Sequence, residues 1–424
     1  MKSKGLVVFL CIITLIVGAI GGFYVATTIS LDGVNEELSV EVISSESDTI
    51  ASTASDVAEA KDGAVSVHFL ELGNKYTGDC TYIKVGKDID ILIDCGSKSS
   101  SVPIVTDYLN NYVTDGILEY VIITHAHQDH YAGFATPANV NSIFDNFECK
   151  NIITFAKTNQ KSKTTERDCE LLSTSKDSTS SSKISSNKAG KNSTQTMYDF
   201  FLREIGEEIS AGATFYTANS FREVYPDGVC PLDSVNNINM QILDSKYYTS
   251  DAGTENDYSV CMQLTQGSKK FLFTGDLEKD GEEKLVELNE SFMGQVELYK
   301  AGHHGSKTSS NEKLLEKIQP KIVCICCCAG SKEYTKNVSN QFPTVDFLNR
   351  ISIYTKNVFI TTLCNDYDKN EFTAFNGNIV VMSENITSSI NVCCSNNNTV
   401  LKDTEWFKQN RYELCKDKIC SNWL

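Results

Sequence analysis

Histidine is scarce in this chain, and positive charge is in deficit. There are six histidines in 424 residues, and none lies between positions 131 and 302. Lysine and arginine number 38 against 55 aspartates and glutamates, a net charge of −17. That deficit excludes broad, sequence-independent binding to duplex DNA, which needs Lys and Arg to neutralise phosphates. It leaves open a small or single-stranded phosphodiester held at a metal. No internal repeat is present, which excludes a repeat array. No partner C-x-x-C accompanies the run KIVCICCCAG. Cys324, Cys326, Cys327 and Cys328 therefore read as small apolar residues of a buried strand rather than a thiolate metal site.

What is there is the composition of a globular protein, 41% hydrophobic and 22% charged. Residues 5–26 carry no charge, follow Lys2 and Lys4, and match the roughly 20 apolar residues that span a bilayer. No A-x-A site follows closely, so residues 1–31 read as an uncleaved signal anchor, with a cleaved signal peptide as the alternative. The preceding lysines place the bulk of the chain outside the cytoplasm. Residues 32–63 are rich in Asp, Glu, Ser and Thr with Lys61 as the one basic residue, the composition of an acidic flexible linker. The folded domain is expected over 64–395, with an insertion at about 150–240 and a C-terminal tail over 396–424. Of the 16 cysteines, Cys393, Cys394, Cys415 and Cys420 would be the ones to form disulfides in an oxidising compartment.

The patterning predicts strands over 64–73, 80–85, 90–96 and 118–124, with a helix over 101–113. Residues 197–209 have helical spacing. Further strands are expected over 258–264, 269–276, 294–306, 320–328, 357–363, 372–383 and 389–395. The alternation of strands and helices is that of an α/β sandwich.

The few histidines are concentrated. VIITHAHQDHYAG (121–133) holds His125, His127, Asp129 and His130 just after an apolar run, and GHHGS (302–306) holds His303 and His304. Both clusters, and Asp276 in FTGD, end predicted strands, the usual place for ligands of open α/β sheets. Imidazole and carboxylate together suit zinc, manganese or iron(II). His125 and His127, two apart, could grip one metal, while Asp129 and His130 beyond the turn could face a second. His68 lies inside a strand and reads as structural.

These blocks resemble the metallo-β-lactamase fold, and within it the soluble hydrolase domain of ComEC-type DNA-uptake (competence) proteins. The likeness is carried by Gly78-Asp79, LIDCG (92–96), THAHQDHYAG (124–133), ENDYS (255–259), LFTGDLE (272–278), GHHGSKTSS (302–310) and FNGNIVV (375–381). The resemblance implies an α/β fold, a four-layer αβ/βα sandwich, here preceded by the N-terminal transmembrane helix, with two divalent metal ions at one edge, zinc with manganese as the alternative. His125 and His127 would hold metal one; Asp129, His130 and His303 would hold metal two; Asp276 would bridge them. Asp129 and His304 are the candidate catalytic residues, His304 being a ligand, a general acid near the leaving group, or a packed histidine. Asp79 would orient a ligand histidine, and Asn256 is a candidate ligand of metal one. Two departures stand out: no histidine precedes the GD strand, where Asn256 and Asp257 stand, and Gln341-Phe342-Pro343 replaces a histidine expected before the proline.

The implied function is a metal-dependent extracellular hydrolase that uses a hydroxide held between two metals, acting on a phosphodiester as nuclease or small phosphodiesterase. The partners expected are a small-molecule or single-stranded nucleic acid phosphodiester and the membrane, with no protein partner evident. The alternatives are a lactone or β-lactam hydrolase and a non-enzymatic surface binding module.

Overall fold

The computed structural model describes residues 41–42, 61–135, 137, 140–161, 196–419 and 421–423. The strands are β1 (Glu41–Val42), β2 (Val65–Phe69), β3 (Thr81–Val85), β4 (Ile89–Ile93), β5 (Ile117–Ile123), β6 (Glu148–Thr154), β7 (Thr214–Thr217), β8 (Val229–Asp233) and β9 (Ile238–Ile242). They continue as β10 (Met262–Gln266), β11 (Lys269–Phe273), β12 (Leu298–Lys300), β13 (Ile322–Ala329), β14 (Val358–Asp366), β15 (Glu371–Thr373), β16 (Ile379–Ser383) and β17 (Asn391–Cys394). They form a nine-stranded sheet, β1-β17-β16-β2-β3-β4-β5-β6-β7, and an eight-stranded sheet, β15-β14-β13-β12-β11-β10-β9-β8. The fold is thus mixed α/β with two large sheets, as the alternating pattern predicts.

Alternation along the strands explains how the sheets pack. Phe271 and Phe273 face the core shared with Val67, Phe69 and Ile91 of the first sheet, while Leu272 between them faces a second core. The cysteine-rich strand obeys the same period of two: Cys324 and Cys326 enter the shared core, and Ile325 and Cys327 enter the second. Cys324, Cys326, Cys327 and Cys328 are all buried, as expected. The second core also takes Leu285, Leu315 and Phe347 from the helices Lys279–Leu288, Glu312–Ile318 and Val345–Ile351. Outside the first sheet, the helix Val102–Leu109 sets Tyr108 beside His68. His68 is fully buried and hydrogen-bonded to Tyr108 and Ser66, in keeping with a structural role.

Several expectations change. The strand expected over 372–383 is two strands in different sheets, because Gly377 turns with φ +66° and the Asn376 side chain bonds Ile360 and Thr399 across the bend. The strand expected over 258–264 starts only at Met262, since Asn256–Tyr258 forms a tight helical turn. β6 and β7 join the first sheet, and β8 and β9 the second. Cys393, Cys394 and Cys415 are free thiols, so the expected disulfides among them are not formed: Cys394 lies in the shared core and Cys415 in the second. Cys420 lies outside the described residues. The tail enters the second core through Phe407, Cys415 and Trp423. Among the described residues no helix is long and apolar enough to cross a membrane; the segment read as an anchor, most of the linker, and the Ser/Lys-rich stretch 162–195 lie outside them.

Candidate metal centre

The site forms where strands of both sheets end. β5 runs parallel between β4 and β6 and stops at Ile123. Thr124 turns the chain, and its carbonyl accepts the N–H of Val260 from the loop leading to β10. His127 caps a helical turn, Gln128–Tyr131, that carries Asp129 and His130. This turn can settle only because residue 96 is glycine: a Cβ there would lie 1.6 Å from the Asp129 carbonyl oxygen. On the facing sheet, Gly275 after β11 adopts φ +54° against Ser259 and Thr124, and aims Asp276 at the same point. After β12, His303 and His304 both take left-handed backbone, φ +47° and +55°, where non-glycine residues are uncommon and cluster at functional sites.

The imidazoles converge on one oxygen. Oδ2 of Asp276 lies 3.2 Å from Nε2 of His130, 3.4 Å from that of His304, 3.8 Å from that of His303 and 4.0 Å from that of His125. The opposite nitrogens are already taken. His130 Nδ1 donates to Asp94 at 2.7 Å, and His304 Nδ1 to the Cys326 carbonyl at 2.9 Å. The Thr124 hydroxyl donates to Asp94, so it is left to accept from His125 Nδ1 at 3.1 Å. His303 Nδ1 bonds the Thr308 hydroxyl at 3.1 Å. Each ring is thus held from behind at Nδ1 with its Nε2 turned toward Asp276, the arrangement of metal-ligating histidines.

Charge points the same way. Burial disfavours the charged form of His130, but Asp276 and Asp94 outweigh it and hold its pKa well above the ordinary value; Asp276 and Asp79 do the same for His304. Burial and the neighbouring His130 push His125 well down. Asp276 stays ionised despite burial because of His130, His304 and His303 around it. The pocket is built to hold positive charge.

A divalent metal fits these residues. Nε2 of His130, Nε2 of His304 and Oδ1 of Asp276 are buried without any hydrogen-bond partner. Such orphans cost free energy unless something binds them. One ligand atom each from Asp79, His130, Asp276 and His304 falls within 4.8 Å of the others. Asp79 is already claimed, by the buried ammonium of Lys300, and lies on the Nδ1 side of His304 at 3.3 Å and of His130 at 3.7 Å. It is placed to orient those rings.

Of the residues singled out from the sequence, His125, His130, Asp276, His303 and His304 come together around one carboxylate. His127 joins through His125, Nδ1 to Nε2 at 2.9 Å, and Asp129 through His304 Nε2 at 3.6 Å. Asn256 is buried and gives its amide to Glu278 Oε1 at 3.0 Å. Four contributors carried no expected role. Asp94 ends the strand beside β5, a position that could have been noticed in LIDCG. Lys300, a lysine closing a buried strand before the histidine pair, was also visible. Glu278, 3.6 Å from His303, closes the LFTGDLE block and could have been noticed there, whereas Tyr334, whose hydroxyl donates to Asp129 Oδ2 at 2.8 Å, had no sequence signal. Phe342, in place of the expected histidine, sets its ring centroid 5.7 Å from those of both His303 and His304.

Parts of the chain are similar to known proteins. Residues 73–136 and 249–329 match the family model of the Metallo-beta-lactamase superfamily. A stretch of 91 residues is 32% identical to ComE operon protein 3 of Bacillus subtilis, covering 20% of this chain and 12% of that protein. Another, of 88 residues, is 31% identical to Recombination protein 2 of Haemophilus influenzae, covering 21% of this chain and 10% of that protein. The matches therefore span only a small part of these relatives. Two solved structures of CmlA, a diiron beta-hydroxylase from Streptomyces venezuelae, one of them a mutant, give TM-scores of 0.31 and 0.35 at 10% identity, covering 63% and 70% of this chain and 45% and 52% of theirs. In its motifs and matched segments, the chain is similar to the Metallo-beta-lactamase superfamily and to a part of the ComEC-type proteins.

Proposed function

We propose that this protein is a metal-dependent hydrolase that cleaves phosphodiester bonds outside the cytoplasm. The observation that carries the reading is the convergence of four imidazole Nε2 atoms on Asp276 Oδ2. His125, His127, Asp129, His130, Asp276, His303 and His304 would hold two divalent ions, zinc or manganese. Such ions, when bound, lower the pKa of a water to near neutrality and offset charge on phosphoryl oxygens. An anionic phosphodiester would otherwise be repelled by Asp79, Asp94, Asp129 and Asp276.

The chain's own groups divide the remaining work. His130 and His304 form a buried floor, oriented by Asp94, Asp79 and the Cys326 carbonyl. His127, Asp129, Glu278, His303 and Phe342 are half-buried, and Tyr334 is 58% exposed, so this side is the mouth. A substrate entering there meets the Tyr334 hydroxyl, whose one proton goes to Asp129 Oδ2 at 2.8 Å and would turn from it to a substrate oxygen that gathers charge. The phosphodiester preference is supported by the subgroup resemblance through HHGSKTS, and a nucleic acid context by the DNA-uptake likeness and the name of Recombination protein 2. The outer helices complete a four-layer sandwich in this reading, and residues 5–26 anchor it in the membrane, on the strength of their uncharged sequence.

Turnover of bis-p-nitrophenyl phosphate by the full chain, set against a lactam and a lactone reporter, tests the assignment. Hydrolysis of the phosphodiester alone is expected. Hydrolysis of the lactam or lactone alone would move the protein to carboxylic bonds.

A further inference from the structure

The sequence leaves metal one short of a histidine, because none occurs between positions 131 and 302. We propose that the two adjacent histidines serve different metals: His304 joins Asp129 and His130, while His303 joins His125 and His127, with Asp276 between the two sets. This rests on the metal-dependent reading above and changes the ligand sets expected from the resemblance, which put His303 with Asp129 and His130.

Side-chain direction is the first argument. Left-handed backbone at both positions splays the rings, whose centroids are 6.1 Å apart and whose planes differ by 69°. His304 turns inward. Its ring lies 5.3 Å from that of His130, its Nε2 3.6 Å from Asp129, and its Nδ1 reaches Asp79 and the Cys326 carbonyl. His303 turns the other way, toward Glu278 and Thr308, yet keeps its Nε2 3.8 Å from Asp276.

The neighbours of His303 supply the second argument. Glu278 accepts the Asn256 amide at 3.0 Å. Glu255, one residue before, accepts the N–H of Ala126, which stands between His125 and His127. A continuous set of contacts thus leads from His303 to the loop that carries His125 and His127. Asn256, the other candidate from the sequence, donates its NH2 in that link, while its Oδ1, the atom a metal would take, is buried without a hydrogen-bond partner. Backing of His303 Nδ1 by Thr308 and Glu278 matches the backing of His130 by Asp94, which is what a ligand needs.

Paired substitutions test the division by counting metal rather than activity. The full chain is loaded with zinc, dialysed, and its zinc per chain measured, with folding checked by circular dichroism. Wild type should hold about two ions. His303→Ala and His304→Ala should each hold about one, and His303→Gln should match His303→Ala. The double variant His125→Ala/His303→Ala should still hold about one, because both changes strike the same ion. His130→Ala/His303→Ala should hold none. Cobalt(II) spectra of His303→Ala and His125→Ala should report the same remaining site. The division is overturned if His303→Ala keeps two ions. It is equally overturned if His130→Ala/His303→Ala keeps one while His125→Ala/His303→Ala is empty. An empty wild type would overturn the metal-dependent reading itself.

Discussion

Asp276 stands 3.2 Å from Nε2 of His130, and the other nitrogen of that ring is given to Asp94 at 2.7 Å. One imidazole therefore spans a carboxylate at the centre of the site and a carboxylate behind it. Asp94 also accepts the Thr124 N–H and hydroxyl, so the outer carboxylate is itself held fast. Asp94→Asn keeps the shape and removes the charge. Metal affinity, read by competition with a chelator, should fall about 10–100-fold. Unchanged affinity would contradict the role given to Asp94.

Tyr334 tests what happens at the mouth. Its ring packs 5.6 Å from Phe342 and its hydroxyl donates to Asp129. Tyr334→Phe keeps the packing and deletes the donor. Hydrogen bonds to charged groups contribute about 1.5–3 kcal/mol, so kcat/KM for the phosphodiester should drop roughly 10–100-fold while metal content stays the same. Loss of metal instead would make Tyr334 a support for Asp129 and nothing more.

The C-terminal tail is expected to matter to the site at a distance. Arg411 is buried, and its guanidinium donates to the carbonyls of Gln341, Pro343 and Asn410. Two of those flank Phe342, the residue against both His303 and His304. Arg411→Ala leaves these carbonyls unpaired and opens a void beside Trp406. A loss of about 2–4 kcal/mol in unfolding free energy is expected by chemical denaturation. A change below about 0.5 kcal/mol would show that the tail does not brace this segment.

His68 gives a pH dependence of definite sign. Burial lowers its pKa from 6.5 to about 3. The unfolded chain binds a proton below pH 6.5, whereas the folded chain resists it until about pH 3. Stability must therefore fall as pH drops through this window, by about 2 kcal/mol between pH 7 and pH 5 from this residue alone. His68→Gln should unfold with a correspondingly smaller difference between those two pH values. An identical difference would contradict a buried, neutral His68.

The part of this account that was legible in the sequence is the part written in short range. H-x-H-x-D-H, the pair at 303–304 and FTGD each sit at the end of an apolar run, and runs that long become strands whichever sheet they join. The partners from behind were harder to read. Asp94 meets His130 because β4 and β5 are parallel neighbours, and Lys300 meets Asp79 only when the two sheets face each other. Tyr334 reaches Asp129 across 205 positions from a loop with no periodic pattern. Left-handed backbone at His303 and His304 is set by packing around the turn, so no propensity distinguishes the two residues. The 372–383 segment misled because both its halves are strand-like and only the Asn376-Gly377 bend sends them to opposite sheets.

The central claim is that Asp276 gathers metals for phosphodiester cleavage. The most direct test is the metal content of the full chain, wild type and Asp276→Ala, with bis-p-nitrophenyl phosphate turnover on the same samples. The account predicts about two divalent ions and turnover in wild type. In Asp276→Ala it predicts a loss of metal and at least a roughly 1,000-fold fall in rate, about 4 kcal/mol of transition-state stabilisation. A wild-type chain that turns over the phosphodiester without bound metal, or an Asp276→Ala variant that keeps both ions and full activity, would contradict it.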